Sequence, residues 1–186
     1  RRLLRSPVGS ASVAVLGFFV LVAVLAPWIS PHDPNFLDLL MVGAPPDADH
    51  LLGSDSAGRD IISRLIWGSR TTLMGVVVTV ITALAVGVPT GTAAGYFGGR
   101  TDAVLSWLSD VLQAVPAMIV LLVVAAGSRS NFMVLMAAVG VVMAPGYFRV
   151  VRSASQGLRK EDFIAAARVA GLGHAVILRR HILPGI

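Results

Sequence analysis

The sequence predicts an all-α, polytopic bundle of transmembrane helices, and its composition and charge pattern support this fold class. Hydrophobic residues make up 55% of the 186 residues and charged residues only 13%, whereas a soluble domain carries about 25% charge. The mean hydropathy is +0.80. No Asp, Glu, Lys or Arg occurs in residues 6–31, 71–99, 111–128 or 130–148. A helix needs about 20 mostly apolar residues to cross a bilayer core, and it satisfies its own backbone hydrogen bonds there.

These charge-free stretches predict four spans, near residues 10–29, 73–95, 105–126 and 131–149. The first apolar run is longer than the 7–15-residue apolar region of a signal peptide, so we expect an uncleaved anchor. Proline removes a backbone donor inside a helix. We therefore expect kinks at Pro89, Pro116 and Pro145 in the second, third and fourth spans.

Lys and Arg set the expected orientation, because cytoplasmic segments carry an excess of both. With the N-terminus in the cytoplasm, the outer segments hold only four of the 15 basic residues, namely Arg59, Arg64, Arg70 and Arg129. The inner segments hold the rest, which are Arg1, Arg2, Arg5, Arg100, Arg149, Arg152, Arg159, Lys160, Arg168, Arg179 and Arg180. The net charge of +5 thus follows from topology. No nucleic-acid partner is expected, since the basic residues flank spans without interleaved aromatic residues.

Residues 30–70 are predicted to form an extracytoplasmic loop between an N-terminal segment, 1–29, and a transmembrane core, 71–186. The first half of the loop is rich in Pro and Asp, as turns are. Its second half, 56–68, predicts an amphipathic helix that Ser56 caps. The apolar face would hold Ile61, Ile62, Leu65 and Ile66, and the polar face Arg59, Asp60 and Arg64. An interfacial helix that merely caps the bundle is the simpler interpretation.

A ridge of small residues recurs every four positions along the second span. It consists of Gly75, Thr79, Ala83, Gly87, Gly91 and Gly95. Small residues at this spacing let helix backbones approach closely in lipid. Four residues turn about 400°, so the ridge drifts about 40° per step, and we expect one straight neighbour to contact only part of it. Tight helix packing is the simpler interpretation, and a ridge that also lines a translocation path is the alternative.

Asp110 is the one carboxylate inside a predicted span. Intramembrane ionisable residues face the bundle interior or water, so Asp110 is expected to pair with Arg100 or Arg149 or to line the inner mouth. An interfacial carboxylate is the simpler interpretation.

Motifs for covalent chemistry are missing from the sequence. It contains no phosphate-binding loop, no His-Glu-x-x-His and no Gly-x-Ser-x-Gly. The four histidines lie scattered on both predicted faces, which suggests no metal site; they are His32, His50, His174 and His181. We therefore expect neither an enzyme nor a cofactor site in this chain.

The last predicted cytoplasmic segment, 150–186, contains a short helix over 158–172. Glu161 begins it where the helix dipole favours acids, and Gly171 can adopt the left-handed cap that ends it. Ala165, Ala166 and Ala167 spread over roughly 200° of the helix surface, so a smooth patch is left exposed. Such a patch suits docking onto a partner, whereas a generic surface helix is the alternative. Gly171 and Ala167 are expected to tolerate added bulk least.

Residues 161–171, followed by His181, Leu183 and Pro184, resemble the cytoplasmic "EAA" coupling loop of bacterial ABC-transporter permeases. Two positions depart from the general motif, which has glutamate at Ala165 and isoleucine at His181. The run 180–184 is similar to a variant found in peptide and nickel permeases. Residues 52–65 and 94–102 resemble two signatures of the C-type subunit of dipeptide and oligopeptide permeases.

The resemblance implies a permease subunit of an ATP-driven, solute-binding-protein-dependent importer in the bacterial inner membrane, working by alternating access on di- or oligopeptides. It implies as partners a homologous B-type permease, two ATP-binding subunits that hold ATP and Mg, an extracytoplasmic solute-binding protein and membrane lipid. The residues assigned to ATPase coupling are Glu161, Ala165, Ala166, Ala167, Gly171, His181, Leu183 and Pro184. Nickel or another small solute remains open as the cargo. A passive channel or a membrane scaffold remains open as a different class.

The permease module of this family continues past the Leu-Pro of the coupling loop into two further helices. The resemblance therefore implies a gene product that extends roughly 80 residues or more beyond the present sequence, with two more apolar stretches of about 20 residues each.

Overall fold

Seven α-helices form the framework of the computed structural model, which describes residues 6–129 and 131–186. They are α1 (Pro7–Ile29), α2 (Ile61–Phe97), α3 (Gly99–Ala114), α4 (Ala117–Gly127), α5 (Phe132–Leu158), α6 (Asp162–Val169) and α7 (His174–Ile177). A 3-10 turn lies at Leu39–Met41, a π-helical turn at Leu178–Ile182 and a 3-10 turn at Leu183–Gly185. The described residues form no β-strand, which agrees with the all-α prediction. Arg1, Arg2 and Arg5, used above for orientation, lie outside the described residues.

Three of these helices, α1, α2 and α5, are long and apolar enough to cross a membrane, and α3 with α4 forms a bent pair that adds a fourth crossing if it is one span. The predicted span over 105–126, with its kink at Pro116, is formed by two helices, and the kink is a sharp break. The chain turns by 80° between α3 and α4, at Val115 and Pro116. Pro116 has no N–H to continue the helix, and a residue before proline avoids the helical region. Val115 accordingly has ψ 125°, in the extended region.

The predicted outer amphipathic helix and second span are one continuous helix, α2. The helix begins at Ile61, so Ser56 is not its N-cap. The Asp60 carboxylate accepts a hydrogen bond from the Ser63 N–H at 2.8 Å and takes the capping role instead. Ser56 lies in a tight turn that Gly58 closes with φ +74°. A side chain at Gly58 would overlap the Asp38 carbonyl oxygen, so glycine is required there.

The chain divides into two compact units, Arg1–Met74 and Gly75–Ile186. In the second unit, the small-residue ridge of α2 packs against α5 along its whole length. Gly75 lies beside Phe132, Gly87 beside the Ala144 carbonyl, and Gly95 beside the Arg152 carbonyl. One helix, α5, thus contacts the ridge from Gly75 to Gly95, whereas one straight neighbour was expected to contact only part of it.

The remaining ridge residues make the same kind of contact. The Thr79 hydroxyl donates to the Met136 carbonyl at 3.1 Å, Ala83 is buried, and Gly91 lies beside the Phe148 carbonyl. Partners rise together in sequence along both helices, so α2 and α5 run parallel. The contact from Gly75 to Gly95 covers about 30 Å of helix, and α3 with α4 provides the return path.

Candidate functional site

The segment that follows α5 folds back onto the C-terminal end of α2. Ile164 and Ala167 of α6 join Tyr96 of α2 and Ile177 and Ile182 of the following turns in one buried apolar cluster. Ile164, Ile177 and Ile182 are fully buried. Burying these side chains removes apolar surface from water, which is the main force that holds α6 in place.

Tyr96 stands at the centre of this attachment. Its hydroxyl lies 2.9 Å from Nδ1 of His174, and the Arg168 guanidinium lies over its ring at 5.2 Å. One residue along, the Phe97 carbonyl accepts a hydrogen bond from Arg159 at 3.3 Å. A cation–π contact and a tyrosine hydrogen bond each add directionality to the apolar contact. In the sequence, Tyr96 is only one residue of the signature over 94–102. The residues next to it in the sequence do not indicate a contact with α6.

The predicted coupling helix is shorter than the range 158–172. It begins at Asp162 with Glu161 as its N-cap residue and ends at Val169. Gly171 has φ +78°, so the predicted left-handed cap is confirmed. The Leu172 N–H donates to the Ala167 carbonyl and the Gly171 N–H to the Arg168 carbonyl, the two bonds of a Schellman motif.

The surface of α6 differs from the prediction at one alanine. Ala165 and Ala166 are exposed, but Ala167 is only 7% exposed and belongs to the buried cluster. It packs inward because it lies one turn from Ile164 on the same helix face. Val169, which sequence reasoning did not single out, is 90% exposed. The exposed smooth patch of α6 therefore consists of Ala165, Ala166 and Val169.

The other predicted coupling residues lie close to α6. The half-buried His181 ring stacks on Phe163 with ring centroids 6.4 Å apart. Its Nδ1 atom is buried and has no hydrogen-bond partner among residues 6–129 and 131–186. Leu183 and Pro184 are exposed in the turn after it, and the neighbouring Gly185 packs against Leu158.

Two acid–arginine pairs connect α3 to α5. Of the alternatives expected for Asp110, the structure shows the pairing with Arg149, at 3.4 Å between exposed side chains. A stronger pair was not predicted: Arg152 donates from Nε and Nη2 to both oxygens of Asp102, the latter bond at 2.7 Å. Gln156 donates to Asp102 as well, at 3.3 Å. A bidentate arginine–carboxylate pair fixes the orientation of both side chains. The pair therefore sets the geometry of the contact between α3 and α5 and also adds charge attraction.

The polar residues predicted for an outer helix form a loop network at the N-terminal end of α2. Arg59 and Asp60 precede the helix, so only Arg64 lies on its polar side as predicted. Asp55 accepts hydrogen bonds from the Ala57 and Arg59 N–H groups and from the Arg59 side chain, at 2.8–3.0 Å. These hydrogen bonds hold the pKa of Asp55 below its usual value, and the one from the Arg59 N–H has the largest effect.

Two histidines, His32 and His50, also meet at Asp60, a proximity that their positions in the sequence did not indicate. His50 Nδ1 lies 3.0 Å and His32 Nδ1 3.9 Å from the oxygens of Asp60, which is 3% exposed. The hydrogen bond to Asp60 raises the pKa of His50. Burial alone would raise the pKa of Asp60, but hydrogen bonds from Ser63 and His50 keep it below its usual value.

Comparison with known proteins identifies the family. Residues 87–186 match the family described as "Binding-protein-dependent transport system inner membrane component", and residues 1–46 match the "N-terminal TM domain of oligopeptide transport permease C".

Among similar proteins, the Escherichia coli K12 "Probable D,D-dipeptide transport system permease protein DdpC" is 30% identical over 96% of this chain and 60% of its own length. The glutathione transport system permease protein GsiD of Pectobacterium atrosepticum is 33% identical over 100% of this chain and 62% of its own length. The oligopeptide transport system permease protein OppC of Haemophilus influenzae is 28% identical over 100% and 60%. The chain thus spans about 60% of the length of the curated relatives that it matches. With its family match over residues 87–186, the chain belongs to the binding-protein-dependent transport system inner membrane components.

Proposed function

We propose that this chain is the C-type permease subunit of an ATP-driven importer that takes up di- or oligopeptides. The attachment of α6 to Tyr96 at the end of α2 is the observation that carries the proposal. A permease subunit without catalytic residues needs a mechanical connection between a cytoplasmic docking helix and its membrane helices, and this attachment supplies one. The printed names of the relatives, which refer to dipeptide, glutathione and oligopeptide transport, support a peptide as the solute.

A movement of α6 would pass to the membrane helices through contacts of two kinds. Tyr96 connects α6 to α2, and Gly87, Gly91 and Gly95 of the ridge lie directly against backbone atoms of α5. Close-packed interfaces of this kind transmit displacement because they have little free volume. The Asp102–Arg152 pair then carries the movement to α3. Displacement of α6 would thereby tilt α2, α3 and α5 together, as a switch between inward-open and outward-open states requires.

The exposed patch of Ala165, Ala166 and Val169 would enter a cleft on a partner ATPase. Small apolar side chains let a helix approach a cleft wall closely, and the basic residues Arg159 and Lys160 beside it suit an acidic rim. In this proposal two ATP-binding subunits hold ATP and Mg, a homologous B-type permease completes the pathway, and a solute-binding protein delivers the peptide on the outer side. The N-terminus lies in the cytoplasm, on the same side as α6.

The decisive experiment places bulk on the exposed patch and compares it with bulk elsewhere. Ala166→Trp in the complete importer should abolish co-purification of the ATP-binding subunits and reduce solute-stimulated ATP hydrolysis at least about tenfold, which corresponds to about 1.4 kcal/mol of lost coupling. Leu21→Trp, on the exposed surface of α1, serves as the control and should leave both quantities unchanged. Wild-type partner binding and ATP hydrolysis in Ala166→Trp would reject the coupling role of α6.

A second experiment concerns the solute. Cells that lack this subunit should become resistant to a toxic di- or tripeptide, because they no longer import it. Unchanged sensitivity together with lost nickel uptake would assign a different solute to the same importer. Ion conductance through the reconstituted protein without nucleotide would favour a passive channel. A protein that shows no conductance, binds no ATPase and stimulates no ATP hydrolysis would be a membrane scaffold.

A further inference from the structure

Three side chains from separate parts of the loop between α1 and α2 converge at one point. The rings of His32 and His50 are stacked, with centroids 4.6 Å apart and an angle of 26° between their planes. Each ring turns Nδ1 toward the carboxylate of Asp60, at 3.9 Å from Oδ2 for His32 and at 3.0 Å from Oδ1 for His50. One potential ligand atom from each of the three residues lies within 4.8 Å of the other two.

The backbone around this cluster is held by hydrogen bonds from backbone N–H groups, which do not use the ring nitrogens of the two histidines. Asp60 Oδ2 accepts the Ser63 N–H at 2.8 Å, and the Ser63 hydroxyl accepts the His32 N–H at 3.0 Å. The His50 N–H donates to the Asp47 carboxylate. The Asp60 side chain is only 1% exposed, whereas that of His32 is 39% exposed. The cluster is therefore ordered on its inner side and open to solvent at His32.

We propose that His32, His50 and Asp60 form a binding site for one divalent transition-metal ion, with water completing the coordination. Two imidazole nitrogens and a carboxylate oxygen are ligands that zinc and its neighbours in the first transition row prefer. Calcium and magnesium favour oxygen ligands throughout, so the two histidines select against them. The proposal does not depend on the coupling role of α6, because the cluster lies in the other compact unit of the chain.

The distances suit a metal after a small movement. Ligand bonds of about 2.1 Å in a tetrahedral site separate the ligand atoms by about 3.4 Å. His50 Nδ1 lies 3.0 Å from Oδ1 and His32 Nδ1 3.9 Å from Oδ2, so each imidazole is near this separation from one oxygen of the carboxylate. Atoms that are now up to 4.8 Å apart would have to approach by on the order of 1 Å, which a rotation of the exposed His32 side chain can supply.

The bound ion would connect two positions in the loop to the residue that precedes α2. His32 lies shortly after α1, His50 lies in the middle of the loop, and Asp60 immediately precedes α2. Because the metal bonds join segments that are distant in sequence, binding would stabilise the folded loop by the free energy of metal coordination.

The test uses the complete gene product, purified in detergent with an affinity tag that contains no histidine. Cobalt(II) serves as a spectroscopic probe and zinc(II) as its competitor. We expect visible absorption bands of four- or five-coordinate cobalt that saturate near one equivalent, and we expect zinc to abolish them. His50→Gln and His32→Gln should each weaken cobalt binding at least about tenfold, or about 1.4 kcal/mol.

Two further variants separate metal binding from folding. Asp60→Asn keeps a side-chain oxygen that can cap α2 but removes the charged ligand, so it should stay folded and lose affinity. Asp49→Asn removes an exposed carboxylate beside His50 and should bind cobalt as the wild type does. The proposal is overturned if the wild type gives no cobalt bands. It is equally overturned if binding survives in His50→Gln or disappears only in His174→Gln.

Discussion

The two ends of α2 differ in their main contacts, which are polar at the N-terminal end and apolar at the C-terminal end. At its N-terminal end, Asp60 is buried among histidines and the Ser63 N–H, and Asp55 nearby collects hydrogen bonds from its own turn. At its C-terminal end, Tyr96 sits in a cluster of isoleucines. Hydrogen bonds lose strength steeply when their geometry changes, whereas apolar contact is non-directional. The N-terminal end thus suits a fixed loop, and the C-terminal end suits a joint that moves without coming apart.

The largest expected effect comes from removing Tyr96 from the buried apolar cluster at the C-terminal end of α2, called the apolar joint below. Tyr96→Ala should destabilise the packing of residues 162–182 by about 3–5 kcal/mol, as large-to-small changes at buried aromatic residues do. Hydrogen–deuterium exchange of that segment in the detergent-purified importer should rise accordingly, and solute-stimulated ATP hydrolysis should fall with it. Tyr96→Phe keeps the ring and loses only the hydroxyl contact to His174, so it should cost about 1 kcal/mol. Equal exchange rates in the two variants would show that the hydroxyl, and not apolar burial, holds the segment.

The next effect tests whether the helix that carries this joint is itself fixed against α5. A Cβ atom at Gly91 would lie 2.7 Å from the Phe148 carbonyl oxygen, so Gly91→Ala forces the two helices apart. Such overpacking costs about 1–3 kcal/mol, and the midpoint of thermal unfolding in detergent should fall. Gly146→Ala is the matched control on α5, because nothing lies within 4 Å of its added Cβ. A lower midpoint in both variants would point to a general intolerance of added bulk and against close α2–α5 contact.

A smaller effect is expected at the end of α6. Gly171→Ala places an L-residue at φ +78°, which costs about 1 kcal/mol, and it should loosen the end of α6. Gly173→Ala, at φ −65° with open space around it, meets no left-handed strain and should loosen the end of α6 less than Gly171→Ala does. Exchange rates of the Gly171 and Leu172 amides provide the measurement. If the two substitutions were equal in effect, the left-handed cap would not contribute to holding α6.

The smallest expected effect is that the turn around Asp55, before the N-terminal end of α2, becomes more mobile at acid pH. The lowered pKa of Asp55 means that its ionised form contributes stability above the ordinary aspartate pKa of about 3.9, and that this contribution is lost as the pH falls through the lowered value. Since the chain has no cysteine, a spin label at Ser56→Cys is unique. Its mobility should increase below about pH 4, and Asp55→Asn should flatten this dependence. A label at Ala170→Cys should be insensitive over the same range, because the apolar joint beside it does not depend on that carboxylate.

Sequence reasoning identified the features that local chemistry determines. The apolar runs that became α1 and α5, the left-handed Gly171 and the pairing of Asp110 with Arg149 follow from composition, backbone sterics or charge at short range. The short helix α6 and the Gly171 cap that follows it were likewise located from their own residues. The exposed face of α6 was not, because the burial of Ala167 depends on Tyr96, which is distant in sequence.

The features that sequence reasoning missed depend on long-range closure or on competition between caps. Ser56 is a good N-cap residue, but Asp60 outcompetes it because Gly58 closes a turn between them. The meeting of His32 and His50 requires the whole loop to fold back on Asp60, and no residue spacing encodes it. The ridge of α2 was recognised, but its neighbour α5 was not, because residue spacing within one helix does not show which other helix packs on it.

The sharp bend at Val115 and Pro116 has a consequence for the surroundings of the chain. Where one helix stops and another starts, the final carbonyl oxygens of the first and the opening amide groups of the second have no partner within their own helices. In hydrocarbon each such group would cost several kcal/mol, so an elbow of this kind is tolerated only against water or another polypeptide. The elbow between α3 and α4 therefore marks a place where lipid tails must be kept away. The backbone groups at the two helix ends add polarity to that place beside the side chain of Gln113.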